Sequence, residues 1–146
     1  MLRRNDIATI YQSYNLIPVL NAFQNVELPM LLTGIAKEDR YLRTKELLHL
    51  VGLGERMDHV PEQLSGGEQQ RVAITRALAH DPLLVLADEP TGNLDAETSL
   101  QVLKLLDRLM RRVGKTLIIV THSLEVARFA DRVLTLKQGR LLEQGV

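Results

Sequence analysis

An α/β fold built on a parallel sheet is predicted by three stretches of the 146-residue sequence. Leu83-Leu84-Val85-Leu86-Ala87 and Thr116-Leu117-Ile118-Ile119-Val120 are apolar runs of strand length. The first of them reads as buried on both faces, as strands of parallel sheets are. Before and between them lie segments of helical apolar spacing, one starting at the box Ser65-Gly66-Gly67-Glu68, and such alternation of strand and helix defines the class.

Composition narrows the function classes. Lys+Arg and Asp+Glu both number 18, so the net charge is zero and the basic field of a nucleic-acid binder is absent. The sequence has no cysteine and so no disulfide framework. No apolar run reaches the length of a membrane span, and Met1 to Asp6 lacks the apolar centre of a signal peptide, so the expected location is the cytoplasm.

In chain order, Ile7–Tyr11 is predicted as a strand that ends in Gln12 and the polar turn Ser13-Tyr14-Asn15. A helix follows over Asn21–Leu32, carrying Pro29 and closed by Gly34. A second runs from about Glu38 to Val51, with Leu42, Leu47, Leu48 and Val51 on its inner face and Gly52 just past its end. At Ser65 the hydroxyl caps the next helix while Glu68 reaches back to the Ser65 amide. Bare Gly66 and Gly67 would let another molecule approach the first amides, where the helix dipole favours an anion. This helix continues through Val72, Ala73, Ala77 and Leu78 and stops at His80-Asp81-Pro82. The strand Leu83–Ala87 then ends in Asp88 and Glu89; one acid there can hold Mg²⁺ and the other orient a water, as phosphoryl transfer requires. Asp95 N-caps a helix over Ala96–Val113 that closes on Arg111-Arg112 and Gly114. Thr116–Val120 ends in Thr121-His122-Ser123, which sets His122 opposite the two acids. Arg132–Lys137 and Arg140–Glu143, about Gln138-Gly139, form a hairpin. His49, His59 and His80 are expected to do nothing chemical.

Leu64-Ser65-Gly66-Gly67-Glu68-Gln69-Gln70-Arg71, followed by Leu83 through Asp88-Glu89-Pro90-Thr91-Gly92-Asn93-Leu94-Asp95, resembles the signature and Walker B motifs of the ATP-binding-cassette (ABC) ATPases. The resemblance extends from about Ile7 to Glu143. It implies a partial P-loop NTPase (RecA-like) parallel sheet with an inserted helical subdomain. Residues 1–146 would then be one partial nucleotide-binding domain, with about 13–64 as the insert and 1–12 and 65–146 as the α/β core. ATP and Mg²⁺ are the implied cofactors. By resemblance Asp88 and Gln12 hold the metal, Glu89 is the catalytic base, and His122 is the catalytic switch histidine. Gln12, Ser65, Gly66, Gly67, Gln69 and the D-loop Asp95 are the implied nucleotide-binding residues, with Ser65, Gly66, Gly67 and Asp95 able to serve a second ABC ATPase subunit in a dimer.

The other implied partner is an integral membrane permease, docked on the helical insert through Leu16, Ile17, Val19, Leu20 and Phe23. The chain would then sit peripherally on the inner face of the cell membrane. Nucleic acid is not an expected partner, because the insert is too short for the long heptads of chromosome-maintenance cassettes. The wording Ala87 to Asp95, with Asn25-Val26-Glu27-Leu28-Pro29 upstream, looks like the branch serving lipoprotein-release, macrolide-efflux and cell-division permeases. In one respect the sequence departs from the family: it contains no Gly-x-x-x-x-Gly-Lys-Ser/Thr. The expectations drawn from this are an N-terminally truncated ATPase, weak ATP binding by the chain alone, and a gap in the sheet beside the strand that ends at His122. The alternative is a non-catalytic protein that binds a permease or donates its signature to a complete ABC ATPase.

Overall fold

The computed structural model describes residues 6–143. β1 (Ile7–Tyr11), β2 (Leu84–Asp88) and β3 (Thr116–Val120) form a parallel sheet in the order β1-β2-β3. The first crossover contains α1 (Ala22–Leu32), α2 (Lys37–Leu50), two single 3₁₀ turns and α3 (Gly66–Ala79); the second contains α4 (Ala96–Val113). After the short α5 (Leu124–Ala127), β4 (Leu134–Lys137) and β5 (Arg140–Glu143) make a separate antiparallel hairpin. Its turn residues Gln138 and Gly139 both have positive φ, the conformation a two-residue hairpin of type I′ needs.

Register decides which side chains share a face. Ala8, Val85 and Leu117 stand side by side, as do Ile10, Ala87 and Ile119. This face joins one core with Val26 and Met30 of α1, Leu48 of α2, Val72, Ile74, Ala77 and Leu78 of α3, and Val102, Leu105, Leu106 and Leu109 of α4. α3 is buried nearly all round because α1, α2, α4 and β1 surround it. The opposite face is open. Leu84 and Leu86 are only half-buried, Ile118 is 49% exposed and Val120 62%. The expectation that the Leu83–Ala87 strand is buried on both faces is therefore corrected: its residues are apolar on both faces, but the helices among the described residues cover one. Leu83 itself lies outside the strand and is 58% exposed. Among the described residues β3 pairs with β2 alone.

The helices follow the sequence expectations closely. α4 has the predicted bounds, and its last turn is stopped by Gly114 at φ +64, a left-handed position that an L side chain occupies only with strain. α1 starts at a reciprocal Asn21–Gln24 capping box and continues through Pro29. In α2 the inner face is Thr44, Leu48 and the half-buried Leu47, with Val51 just beyond; Leu42 is 65% exposed. Leu42 was expected inside, but it lies six residues before Leu48, about 600° of helical turn and so far round the helix from it. Arg43 of α2 donates to the carbonyls of Leu78 and Ala79, satisfying the end of α3.

His80 caps that end. Burial holds its imidazole below the ordinary value of 6.5, outweighing an opposing pull from Asp81, and Nδ1 is buried without a partner. The folded state thus favours neutral His80, and the unfolded chain takes up the proton first as pH falls. The associated stability is fully present above about pH 6.5 and is lost as acidification proceeds from there through the folded pKa. Thermal midpoints recorded from pH 7.5 to 5.5 should fall more steeply for the native chain than for His80→Gln; parallel curves would refute this.

Candidate functional site

In a parallel sheet all strands point the same way, so their carboxyl ends share one edge, and that edge is where α/β folds place ligands. Tyr11, Asp88 and Val120 are paired in register at that edge. Gln12, Glu89 and Thr121-His122 are the next residues of their strands and come together there.

Glu89 is the hub. Its backbone is held at φ +42 by the Glu89 N–H donating to Val120 O at 2.9 Å. Oε2 accepts from Thr121 Oγ1 at 3.0 Å and Oε1 from the His122 N–H at 2.7 Å. Thr121 Oγ1 also accepts from the Ser123 N–H, which directs the hydroxyl proton toward Glu89. The His122 imidazole is fully exposed, with Nε2 3.9 Å from Glu89 Oε1. His122 is therefore at the predicted edge but binds Glu89 through its backbone.

Gln12 is joined to the turn after β2. Its Nε2 donates to Asn93 Oδ1 at 3.1 Å, and Asn93 Nδ2 donates to Gln12 O at 3.0 Å. Gly92 makes room for this contact, since a Cβ there would lie 2.5 Å from Gln12 Nε2. Asp88 is exposed, and its side chain makes no hydrogen bond or ion pair among the described residues. Among those residues no three His, Cys, Asp or Glu side chains cluster to hold a metal by themselves. One carboxylate with one amide oxygen nevertheless suits Mg²⁺, which takes few protein ligands and completes its shell with water and phosphate oxygens.

The signature residues form a second locus at the start of α3. Ser65 Oγ accepts from the Glu68 N–H at 3.2 Å, and Glu68 Oε2 accepts from the Ser65 N–H at 2.9 Å, as the box predicts. The glycines also meet a packing requirement. A Cβ on Gly67 would sit 2.5 Å from Thr98 Cγ2, and one on Gly66 would sit 3.0 Å from the Tyr14 hydroxyl and 3.2 Å from Leu94 Cδ2. Gly67 is buried. These glycines admit the chain's own α4 and its own loop. Gly67→Ala should destabilise the fold by about 1–3 kcal/mol through overpacking. Adding Thr98→Ser, which removes the obstructing methyl and keeps a hydroxyl, should recover most of that loss in denaturant melts.

Gln69 and Asp95 are engaged locally. Gln69 Nε2 donates to Leu64 O at 3.2 Å. Asp95 caps α4, accepting from the Thr98 N–H at 3.0 Å and the Thr98 hydroxyl at 2.6 Å. The hydroxyl bond and then the amide bond hold the Asp95 carboxyl below its usual range. No hydrogen bond or ion pair joins Ser65, Gly66, Gly67, Gln69 or Asp95 to Gln12, Asp88, Glu89 or His122 among the described residues.

Residues that motif reading passed over connect the two loci. Gln70 is fully buried, and its Nε2 donates to Pro90 O, just after Glu89, while its Oε1 has no partner. Arg76 of α3 donates to the carbonyls of Asn15 (2.6 Å) and Tyr14 (2.9 Å), both in left-handed conformation. The burial that this entails lowers the Arg76 pKa. Asn93 and Thr121 lay inside the quoted motifs. Nothing in the sequence said which side chain each would hold.

Comparison with known proteins gives consistent findings. The family model described as ABC transporter matches residues 1–92. The chain is 52% identical over 140 residues to an ABC transporter ATP-binding protein of Thermotoga maritima, aligning 96% of this chain with 59% of that protein. It is 51% identical over 143 residues to the lipoprotein-releasing system ATP-binding protein LolD of Ruegeria sp., covering 98% of this chain and 63% of LolD. A solved structure of the ATP-binding cassette MJ0796, in a dimeric post-hydrolysis state bound to ADP and Pi, superposes with a TM-score of 0.80 at 43% identity, over 98% of this chain and 66% of that one. A protein designated MJ0796 is also matched in Methanocaldococcus jannaschii, at 47% identity. The chain spans 59% to 63% of the length of the two curated relatives described first.

Proposed function

We infer, because this chain belongs to the ABC transporter family, that it is an ATP-binding and ATP-hydrolysing subunit that couples hydrolysis to a membrane permease. The observation that carries the reading is Glu89, a carboxylate fixed by Thr121 and the His122 amide at the strand-end edge that also presents Asp88 and Gln12. Bound Mg²⁺ would supply charge neutralisation of the terminal phosphates. Asp88 and Gln12 Oε1 are the residues to hold it. Glu89 is the group to accept a proton from the attacking water, with His122 free to swing toward the phosphate. Ser65, Gly66, Gly67, Gln69 and Asp95 belong in this reading to the opposing site of a second subunit. The exposed first turns at Ser65 and Asp95 support this, while the Gly67 packing narrows the contact to Ser65 and the Gly66 edge.

The helical unit, residues 13–64, is assigned to permease contact. Val19 (81% exposed), Leu32 (78%) and Leu42 (65%) make its outer surface apolar, whereas Leu16 and Phe23 are partly buried against the core. No helix among the described residues is long and apolar enough to cross a membrane. The LolD relatives favour lipoprotein release as the coupled process, with macrolide-type export the neighbouring choice.

The deciding experiment measures nucleotide affinity and ATP turnover of this chain alone and mixed with a complete homologous subunit. Turnover in the mixture that Glu89→Gln in this chain lowers supports a catalytic role. The second reading, a signature-donating partner, is supported by the well-formed Ser65 box. It requires that Ser65→Ala lower turnover while Glu89→Gln leaves it unchanged.

A further inference from the structure

We infer that Asn93 is a positioning residue that presents the Gln12 side-chain oxygen to a bound cation. The inference rests on the reading above that Gln12 and Asp88 hold Mg²⁺, and it begins from a property of backbone carbonyls: they only accept. Because Gln12 O lies 3.0 Å from the Asn93 amide, the Asn93 atom facing it must be the donor, Nδ2. That choice fixes the Asn93 amide and places Oδ1 toward the Gln12 side chain at 3.1 Å. An acceptor there in turn requires Gln12 to present Nε2. Oε1 is then left without a partner among the described residues, and it is the atom able to ligate a hard cation.

One reciprocal pair therefore sets the orientation of an exposed glutamine amide that would otherwise rotate freely between two nearly isosteric states. A second contact supports it: Gly92 lies so close that a Cβ would meet Gln12 Nε2 at 2.5 Å and Cδ at 2.9 Å, closing one side of the space the amide could use. The turn bearing Gly92 and Asn93 is itself anchored, with the Gly92 N–H donating to Glu89 O at 2.9 Å. The ligand-bearing amide of β1 is thus referenced to the same turn that follows Asp88 and Glu89. Metal sites depend on such outer partners to orient their ligands.

The test uses the full chain labelled with ¹⁵N, the variants Asn93→Ala and Gly92→Ala, and Mn²⁺ with inorganic phosphate as the probe. Without metal, the Gln12 side-chain amide protons should exchange slowly in the native chain and rapidly in Asn93→Ala; rapid exchange in the native chain would show that the pair does not form and overturn the inference. With Mn²⁺, both the Asp88 backbone amide and the Gln12 side-chain amide should broaden in the native chain. In Asn93→Ala the Asp88 broadening should persist, the Gln12 broadening should weaken, and Mn²⁺ affinity should fall about tenfold. Gly92→Ala should act in the same direction. Equal Gln12 broadening and equal affinity in Asn93→Ala would overturn the positioning role and leave the metal reading intact. Absence of Asp88 broadening in the native chain would instead refute the metal reading, and the inference with it.

Discussion

Glu89→Gln is expected to lower ATP turnover by an assembled cassette at least ~100-fold, the usual contribution of a positioned base, while leaving the fold unchanged. The contacts explain why the two effects separate. The His122 N–H, 2.7 Å from Oε1, can only donate, so the amide oxygen of glutamine must face it. The amide nitrogen then faces Thr121 Oγ1, a hydroxyl able to accept as well as donate. The network survives with one bond reversed, and only the capacity to take a proton disappears. Phosphate release should collapse while the thermal midpoint and nucleotide binding stay near those of the native protein. Retention of more than about a tenth of the turnover would remove Glu89 from the role of base.

The second large effect concerns stability. Asn25 is fully buried on α1 and makes four hydrogen bonds. Oδ1 accepts from the Ile17 N–H at 2.8 Å, and Nδ2 lies 3.2, 3.0 and 3.1 Å from the carbonyls of Ile17, Leu20 and Asn21. The side chain supplies the partners that the backbone does not give to the Ile17 N–H and the Leu20 carbonyl, in the 17–21 segment that leads from the Gln12 loop into α1. Asn25→Leu keeps roughly the volume and leaves the Ile17 N–H and the Leu20 carbonyl short of a partner, while Ile17 O and Asn21 O keep the Leu20 and Asn25 N–H donors. Leaving such groups unpaired costs about 1–3 kcal/mol each, so a loss of about 2–4 kcal/mol is expected. Urea unfolding measures it directly. A loss below about 1 kcal/mol would mean that water replaces the amide without difficulty, and that the segment is not held by Asn25.

Much of this arrangement could be read from residue order. Strand ends were legible because an apolar run that stops at Asp88-Glu89, or at Thr121-His122, marks its own boundary, and β1, β3 and α4 have the predicted limits. The Ser65–Glu68 box and the Asp95 cap were legible because capping is local. What was not legible was non-local. Bare glycine at Gly67 looks the same in a sequence whether or not a neighbour such as Thr98 requires it, and only the crossing of α3 with α4 shows that one does. Leu42 and the outer face of β2 were placed inside because they are apolar, whereas exposure depends on which helices are present to cover them. Gln12 and Asn93 are 81 residues apart, so their reciprocal pairing has no signature in either neighbourhood.

The open side of the sheet has a practical consequence. Ile118 and Val120 stand exposed on β3, whose outer backbone groups have no neighbouring strand among the described residues. A bare apolar margin of this kind recruits whatever extended peptide it meets, including its own copies. Preparations of the 146-residue polypeptide should therefore associate as concentration rises, and a lysine at Ile118 should keep them in solution.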